Sequence, residues 1–340
     1  MRKREELEEK ELRELSLFAS KAAVSRGRAE EEEPCPFRTC FQRDRDRIIH
    51  SKAFRRLMHK TQVFLSPEGD HYRTRLTHTL EVTQVARTIA RTLNLNEDLT
   101  EAIALGHDLG HTPFGHNGES VLNAICPGGF RHNEQSLRVV DVLEYHNGKR
   151  GMNLTFEVRN GILNHTGNLK AKTLEGQIVG ISDRIAYINH DIDDAIRSGV
   201  IRQKDLPSGP IELFGERHGD RIANMIENVV MNSDGKNEIA MDEEHAEQLN
   251  VLRDFMFKNV YKSRSVKKEE DLAKVEVVLT SLYNYFLSHP EKMPDDLREL
   301  GKDEGTEIAV KDYVAGMTDR YAVSLYTDIF VPDMTYGYRK

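Results

Sequence analysis

The sequence has few cysteines, no long hydrophobic run and few strand-like segments, and these shortages exclude several classes of protein. The three cysteines, Cys35, Cys40 and Cys126, are an odd number without metal-type spacing, so they fit reduced thiols in the cytoplasm. No stretch approaches the roughly 18 apolar residues of a membrane helix. The charged N-terminus also lacks the apolar region of a secretory signal. We therefore expect a cytoplasmic protein that does not enter the membrane.

The charge of the chain narrows the choice of partner. Its net charge of −8 argues against binding to nucleic acid over the whole surface. Residues 38–60 are different, because they carry eight Lys and Arg residues and only two acids. A local basic segment in an acidic protein suits a phosphorylated ligand. The alternative is a solvated helix face.

Hydrophobic spacing predicts a mainly α-helical fold with little or no β structure. The predicted helices span residues 1–20, 41–60, 73–93, 97–109, 119–126, 132–145, 155–165, 173–198, 217–231, 242–259, 266–289, 294–302 and 306–330. Residues 62–65 are predicted to be a short strand or extended segment. Glycines and prolines in 198–215 mark a boundary. We predict a charged N-terminal helix and loop in 1–36, a core in 37–200, and additional C-terminal helices in 201–340 that pack on the core.

Ionisable residues are concentrated in residues 106–119, which contain three of the 14 histidines. His107 and Asp108 offer a nitrogen and an oxygen ligand from adjacent positions. His111 lies four residues after His107, on the same face if the segment is helical. Apolar neighbours would bury much of this segment, and buried ionisable groups need partners. A divalent cation is one such partner; the alternative is a polar helix end whose histidines cap carbonyl groups.

Two more residues complete a candidate metal site. His78 lies near the start of the predicted helix 73–93, and Asp183 lies beside the apolar stripe of 173–198. With His107 and Asp108 they form a mixed nitrogen and oxygen donor set. Such a set suits Mn, Fe, Ni, Co or Zn and, with water ligands, Mg. Positions would remain open for water and substrate, as catalysis requires.

The ordered motifs resemble those of the dGTPase-like (deoxyguanosine-triphosphate triphosphohydrolase-like) family of HD-domain phosphohydrolases. A lone His, an adjacent His-Asp pair and a distant Asp are the signature of the HD domain. The blocks that narrow the resemblance to this family are 42–57, 60–64, 73–82, 107–119, 132–136, 183–194 and 312–319. A His-Asp pair alone is a weak signal, whereas the ordered set is specific. The resemblance implies an HD-domain helical fold from about residue 16 to residue 330.

The same resemblance implies an enzyme and its cofactor. The implied reaction is hydrolysis of a deoxynucleoside triphosphate, dGTP or several dNTPs, to the deoxynucleoside and inorganic tripolyphosphate, with water attacking the α-phosphorus. One divalent metal ion per site would be held by His78, His107, Asp108 and Asp183. Related enzymes form homo-oligomers, and in some a second dNTP or single-stranded DNA acts as an activator. Residues 312–319 match the family's C-terminal signature and are expected only to pack.

Residues for proton transfer and phosphate contact lie in the matched blocks. The resemblance favours His116 with Glu119 as the acid/base pair, spaced i and i+3 so that the carboxylate orients the imidazole. His111 is then a contact to phosphate, and Glu134 is a further catalytic candidate. A histidine satisfied within the loop is the alternative for His111 and His116. The other histidines are expected to be structural or exposed, with His132 the exception to watch because it adjoins Glu134.

Candidate substrate contacts share ligand-bearing faces or matched blocks: Gln62, Arg75, Arg184, Tyr187, Asp191 and Arg221. Tyr187 is the candidate for a ring against the deoxyribose that excludes a 2′-hydroxyl, and simple packing is its alternative. Gln62 is the candidate for a hydrogen bond to a base edge. Related enzymes use the positions of Arg184 and Asp191 to touch phosphate and the sugar 3′-hydroxyl.

Two rival functions stay open at this point. Another HD phosphohydrolase would act on a nucleoside monophosphate, a cyclic dinucleotide or guanosine tetraphosphate and release monophosphate or diphosphate products. A non-catalytic protein would sense dNTPs or bind single-stranded nucleic acid through residues 38–60, with binding weakened by salt. The complete candidate ligand set favours an enzyme, because a sensor has no need of a metal with open positions.

Overall fold

The computed structural model describes residues 3–62, 73–261 and 269–332. Within these ranges the chain forms sixteen α-helices, which confirms the predicted mainly α fold. They are α1 (Arg4–Glu14), α2 (Cys40–Ile49), α3 (Lys52–Arg56), α4 (Arg75–Thr92), α5 (Glu97–Gly106), α6 (Gly115–Ile125), α7 (His132–Arg138), α8 (Phe156–Leu163), α9 (Leu174–Arg197), α10 (Ser208–Phe214), α11 (His218–Ser233), α12 (Glu243–Met256), α13 (Glu269–Ser288), α14 (Asp295–Glu304), α15 (Thr306–Ala315) and α16 (Asp319–Phe330). No described helix is long and apolar enough to cross a membrane.

The β structure of the described residues is small, as predicted. Strands β1 (Tyr145–His146) and β2 (Lys149–Arg150) form an antiparallel hairpin. Asn147 and Gly148 connect them, both with positive φ (51° and 79°), as a tight two-residue hairpin turn requires. Of the predicted extended segment 62–65, only Gln62 is described, and residues 63–65 lie outside the described ranges. Thr61, the residue before Gln62, makes an isolated antiparallel β-bridge with Thr74.

A large hydrophobic cluster around α4, α5 and α9 forms the main core. Four isoleucines along α9, separated by seven, three and four residues, are fully buried: Ile178, Ile185, Ile188 and Ile192. Each buried isoleucine contributes about 1.5–3 kcal/mol relative to exposure. This cluster also includes Ala19 near the N-terminus and continues through Phe214, Leu249 and Val260. The predicted division into regions 1–36, 37–200 and 201–340 stays a prediction.

A second hydrophobic cluster joins α6 to the C-terminal helices. It contains Leu122 from α6 together with Leu279, Val310 and Val314 from α13 and α15, all fully buried. Because α6 starts inside the stretch 106–119, this cluster anchors that stretch to the end of the chain.

The predicted helix 306–330 is wrong in one respect, because it is two helices. α15 ends at Ala315 and α16 begins at Asp319, with the chain turning between them. Thr318 caps the new helix, and its side chain accepts a hydrogen bond from the backbone N–H of Tyr321 at 3.3 Å. Met317, in the break, is buried in the second cluster. The apolar spacing therefore continues through the turn, which is why it did not reveal the break.

Candidate metal centre and proton-transfer cluster

Three helices of the main core bring the predicted metal ligands together. α4 carries His78, the residues directly after α5 supply His107 and Asp108, and α9 carries Asp183. His78 Nε2 lies 3.1 Å from Asp183 Oδ1 and 3.8 Å from Asp108 Oδ2. His107 Nε2 lies 3.5 Å from Asp108 Oδ1 and 3.8 Å from Asp183 Oδ1. Four groups that are up to 105 residues apart in the chain (183 minus 78) thus share one small volume.

The hydrogen bonding of His107 shows that this volume suits a cation. Its Nδ1 lies 2.6 Å from the carbonyl oxygen of Ala104, and a carbonyl only accepts, so Nδ1 carries the proton. Nε2 therefore presents a lone pair, and this buried nitrogen has no hydrogen-bond partner among the described residues. A lone pair facing two carboxylates in a buried site is unfavourable unless a cation lies between them. His78, His107 and Asp108 also form a group whose ligand atoms all lie within 4.8 Å of one another.

The two carboxylates of this cluster stay ionised. Burial alone would raise the pKa of Asp108, but its electrostatic interactions with the His107 ring and with the guanidinium of Arg75 outweigh burial and hold this pKa well below its usual value. Burial would likewise raise the pKa of Asp183, and the hydrogen bond from His78 lowers it below its usual value. The guanidinium of Arg75, predicted to bind substrate, is buried and donates to Asp108 Oδ2 at 2.6 Å. Arg75 therefore also fixes the orientation of one candidate ligand.

Beside this cluster, Glu119 joins two imidazoles. Its Oε2 lies 3.0 Å from His116 Nδ1, and its Oε1 lies 2.9 Å from His132 Nδ1. The backbone N–H of His132 also donates to Oε1 at 2.8 Å. Burial would raise the pKa of Glu119, but the hydrogen bonds from His116 and His132 outweigh it and lower the pKa. The predicted pair His116 and Glu119 is thus in contact, and His132 shares the same carboxylate.

The contacts of His132 indicate that it carries a proton on each ring nitrogen. His165 Nδ1 lies 2.7 Å from the carbonyl oxygen of Ile162, so that nitrogen carries the proton and His165 Nε2 accepts. His132 Nε2 lies 3.3 Å from it and must therefore donate. With Nδ1 facing Glu119, His132 is an imidazolium. Burial lowers the pKa of His132, but the hydrogen bond and charge of Glu119 outweigh it and raise the pKa; burial and His107 lower that of His165 to about 4.

His111 lies between the two clusters. Its Nε2 is 3.4 Å from Asp108 Oδ1, and its ring stacks on that of His132 with centroids 4.1 Å apart. Burial and the charge of Arg75 lower its pKa well below the usual value, so the ring is neutral near pH 7. Its Nδ1 is buried and has no hydrogen-bond partner in the part of the chain that the structure describes. This nitrogen is the atom of His111 left for a ligand.

Two of the predicted substrate contacts continue the face of α9 that carries Asp183. Tyr187 and Asp191 follow it at intervals of four residues. Burial raises the pKa of Asp191 to about 7, and its carboxyl group accepts a short hydrogen bond from the hydroxyl of Tyr261. Burial and the charge of Asp183 raise the pKa of Tyr187 to about 12. This face therefore offers a hydroxyl, a ring and a carboxyl group next to the candidate metal ligands.

The other predicted site residues lie in more varied surroundings. Arg184 is exposed. Arg221 is buried, and its guanidinium donates to Asn189 Oδ1 at 2.8 Å and to the carbonyl oxygen of Glu216 at 2.5 Å.

Gln62 and Glu134 differ in the partners they have. Gln62 has a buried side-chain oxygen for which the described ranges 3–62, 73–261 and 269–332 provide no hydrogen-bond partner. The side chain of Glu134 is 61 % exposed and lies 3.7 Å from Arg131. The roles of Arg184, Arg221, Gln62 and Glu134 stay predictions.

Sequence reasoning did not select His165 or Tyr261 for the site, and it singled out His132 only as an exception to watch. His132 was linked to Glu134, whereas the structure pairs it with Glu119. The sequence signal for this pair was the short connection 126–131 between α6 and α7, which brings the first residue of α7 close to α6. His165 follows the end of α8, and Tyr261 lies in a π-helical turn after α12. Neither position carries a motif that periodicity or spacing would reveal.

The comparisons with known proteins define the class of the chain. Residues 75–188, from the first residue of α4 to α9, match the HD domain. Residues 239–328 match the phosphohydrolase-associated domain. The chain is therefore an HD-domain phosphohydrolase, and the predicted helical HD fold is confirmed.

Full-length relatives identify the family. A deoxyguanosinetriphosphate triphosphohydrolase-like protein of Caldanaerobacter subterraneus subsp. tengcongensis is 60 % identical over 98 % of this chain and 97 % of the relative. Proteins with the same name from Desulfatibacillum aliphaticivorans and Clostridium perfringens are 49 % and 48 % identical and cover 97 % and 98 % of this chain and 98 % of each relative. The chain belongs to the deoxyguanosinetriphosphate triphosphohydrolase-like family, which confirms the resemblance. A hypothetical protein from Aquifex aeolicus has a solved structure with a TM-score of 0.46 and 23 % identity, over 83 % of this chain and 67 % of that one.

Proposed function

We propose that this chain hydrolyses deoxynucleoside triphosphates, dGTP or several dNTPs, to the deoxynucleoside and inorganic tripolyphosphate. One observation carries the proposal: an imidazole nitrogen that has no partner among the described residues lies with two carboxylates beside an imidazolium held by Glu119. The imidazole nitrogen and the two carboxylates suit a cation. The imidazolium suits proton delivery to the departing oxygen. Both are needed when water attacks the α-phosphorus and the 5′-oxygen leaves.

The candidate ligands His78, His107, Asp108 and Asp183 would hold one divalent ion. When bound, that ion would supply Lewis-acid polarisation of the α-phosphate. The mixed donor set agrees with Mn, Mg, Ni, Co, Fe or Zn. Arg75 keeps Asp108 in place for this role and adds a positive charge beside the phosphates.

The proton-transfer cluster, formed by His116, Glu119 and His132, would act on the leaving group. His116 is the outer member, with a side chain 67 % exposed, so it is the one best able to meet a substrate. Glu119 orients its ring through the contact with Nδ1. His132, held on the same carboxylate, is a second proton donor in this proposal. His111, neutral and stacked on His132, would contact phosphate.

The α9 face would bind the sugar, with Tyr187 against C2′ and Asp191 at the 3′-hydroxyl. We expect Tyr187→Ala to lower the ratio of kcat/KM for dGTP over GTP by about tenfold, a typical value for discrimination by packing against a small group. Steady-state kinetics with both nucleotides measure this ratio. Tyr187→Phe keeps the ring and should leave the ratio unchanged. An unchanged ratio in the alanine variant would remove Tyr187 from this role.

The product assay decides between this function and its rivals. The protein is incubated with each dNTP and rNTP plus Mn²⁺ or Mg²⁺, and the phosphate products are separated by anion-exchange chromatography. We expect tripolyphosphate and the deoxynucleoside. Orthophosphate or pyrophosphate from a dNTP would sink the proposal, and cleavage only of a monophosphate, cyclic dinucleotide or guanosine tetraphosphate would support the first rival. Binding of dNTP or single-stranded DNA without turnover would support the second.

Homo-oligomeric assembly, a cytoplasmic location and activation by a second dNTP or single-stranded DNA also belong to this proposal. A cavity of about 960 Å³ supports an anionic activator, because Lys52, Arg55 and Arg56 of the basic segment line it. Lys60 lines the same cavity, and its ammonium donates to the carbonyl oxygen of His111. In the product assay, activation appears as faster turnover of one dNTP when a second dNTP or an oligonucleotide is added.

A further inference from the structure

Residues 312–319, expected from the sequence only to pack, reach three elements that carry candidate site residues. They contain the break between α15 and α16, next to the second hydrophobic cluster. Three groups of this segment accept hydrogen bonds from distant parts of the chain: the carboxylates of Asp312 and Asp319 and the carbonyl oxygen of Ala315. The side chain of Asp312 is fully buried.

Asp319 holds the turn that starts α6. Its Oδ1 accepts a hydrogen bond from the backbone N–H of Phe114 at 2.9 Å. Phe114 has a φ of +62°, unusual for a residue with a side chain, and such a conformation persists only when its surroundings enforce it. The helix that follows carries His116 and Glu119. The other oxygen, Oδ2, accepts from the N–H of Thr61 at 2.9 Å and from its hydroxyl.

The turn and the Thr61 segment also touch one another. Gly115 has a φ of +56°, and a Cβ at this position would lie 3.0 Å from the carbonyl oxygen of Gln62 and 3.2 Å from Arg75 Nη2. Its neighbours thus leave little room for the turn to shift without disturbing Gln62 or Arg75. The carboxylate of Asp319 accepts hydrogen bonds from both of these segments, from Phe114 in the turn and from Thr61.

The remaining contacts of the segment reach the other parts of the cluster. Asp312 accepts from Gln135 Nε2 at 2.8 Å and from Arg138 Nε at 2.8 Å, and both donors lie on α7, which begins with His132. The ammonium of Lys60 donates to the carbonyl oxygens of His111 and, at 3.0 Å, Ala315. Residues 312–319 therefore connect the His111 loop, the turn before His116 and the helix of His132.

We propose that residues 312–319 position the proton-transfer cluster and Gln62 relative to the metal centre, and that Asp319 is a positioning residue for the reaction. This inference rests on the proposed function. The described hydrogen bonds of the Asp319 side chain are made to Thr61 and Phe114 and to none of the four candidate metal ligands. A change at Asp319 is therefore expected to misplace the cluster. It reaches the metal centre only indirectly, through Arg75, so metal affinity should change far less than turnover.

The test is Asp319→Asn, with Asp328→Asn as the control because Asp328 is an exposed carboxylate on the same helix. An amide has one acceptor oxygen, so its NH₂ group would face the N–H of either Thr61 or Phe114. We expect kcat/KM for the preferred dNTP to fall by about 100-fold, the effect of a misplacement near 1 Å. Mn²⁺ affinity should stay within about twofold of wild type. Hydrogen–deuterium exchange of residues 112–120 should become faster in Asp319→Asn only.

A second variant covers the case in which Asp319→Asn folds poorly. Thr61→Val removes the hydroxyl donor alone and should give a smaller loss of kcat/KM in the same direction. Unchanged kcat/KM and unchanged exchange in Asp319→Asn would overturn the inference, as would a loss of Mn²⁺ affinity parallel to the loss of activity. If the wild-type protein hydrolyses no dNTP, the proposed function fails. Exchange in residues 112–120, measured with Mn²⁺ binding, then still decides whether Asp319 positions the turn.

Discussion

Asp183→Ala and His107→Ala are each expected to abolish turnover and metal binding while the fold is retained. Each change removes one of four groups that converge within a few ångströms. The expected loss of turnover is at least roughly a thousandfold, as when a preorganised electrostatic group is removed from a site. Metal affinity should fall by more than about 100-fold, because changes to groups behind the ligands alone cost about 10- to 100-fold. Titration calorimetry with Mn²⁺ and steady-state kinetics measure the two losses.

The matched control for Asp183→Ala is Asp193→Asn on the same helix. Asp193 pairs with Arg197 at 2.7 Å, outside the cluster, so this variant should bind Mn²⁺ like the wild type. Circular dichroism checks that every variant is folded. If either ligand variant binds Mn²⁺ with wild-type affinity, the ligand assignment is wrong for that residue.

The convergence of these four residues could be predicted because each lies in a motif with a local physical reason. His107 and Asp108 are adjacent, and Asp183 is an acid beside the apolar stripe of a long helix. Their partners had to come from other helices, and the family resemblance supplied which ones. The helical type of these segments followed from apolar spacing, because most of them bury one face. Their lengths did not, since the predicted helix 1–20 is only Arg4–Glu14 and the predicted helix 41–60 corresponds to both α2 and α3.

The remainder of the site depends on contacts between segments that show no pattern in the sequence. His132 meets Glu119 because a short connection reverses the chain, and His165 meets His132 from the end of a third helix. Asp319 reaches Phe114 across 205 residues. The turn between α15 and α16, which places Asp319 beside Phe114, could not be recognised in the sequence, because Met317 keeps the apolar spacing of a continuous helix. Such contacts follow from tertiary packing, which single-sequence periodicity does not encode.

Glu119→Gln is expected to lower kcat by about 10²- to 10⁴-fold, the usual contribution of a positioned acid or base. The amide keeps the size of the side chain, but it carries no charge to stabilise the imidazolium of His132 and has only one acceptor oxygen for the two rings. Metal affinity should stay near that of the wild type, because Glu119 pairs with His116 and His132, which are not candidate ligands. Single-turnover kinetics and Mn²⁺ titration separate the two effects.

The pH dependence of the same variant gives a second, independent readout. Burial lowers the pKa of His132, but the hydrogen bond and charge of Glu119 outweigh it, so the pKa is raised. A raised pKa keeps the imidazolium to higher pH, and activity that needs this proton is lost as pH rises through that value. The pKa of Glu119 itself is lowered, so the carboxylate stays ionised as pH falls. Without its charge, the pKa of His132 falls, and the alkaline limb of kcat/KM in Glu119→Gln should move to lower pH.

Glu134→Gln provides the comparison, because Glu134 was the other carboxylate predicted to take part. Its side chain is exposed and lies near Arg131, so a smaller loss of kcat and an unmoved alkaline limb are expected. A loss as large as that of Glu119→Gln would place Glu134 in the proton path instead. Should Glu119→Gln keep both its kcat within about threefold and its alkaline limb in place, the Glu119 carboxylate does not hold the catalytic proton donor. The imidazolium of His132 would then be a feature of the buried hydrogen-bond network alone.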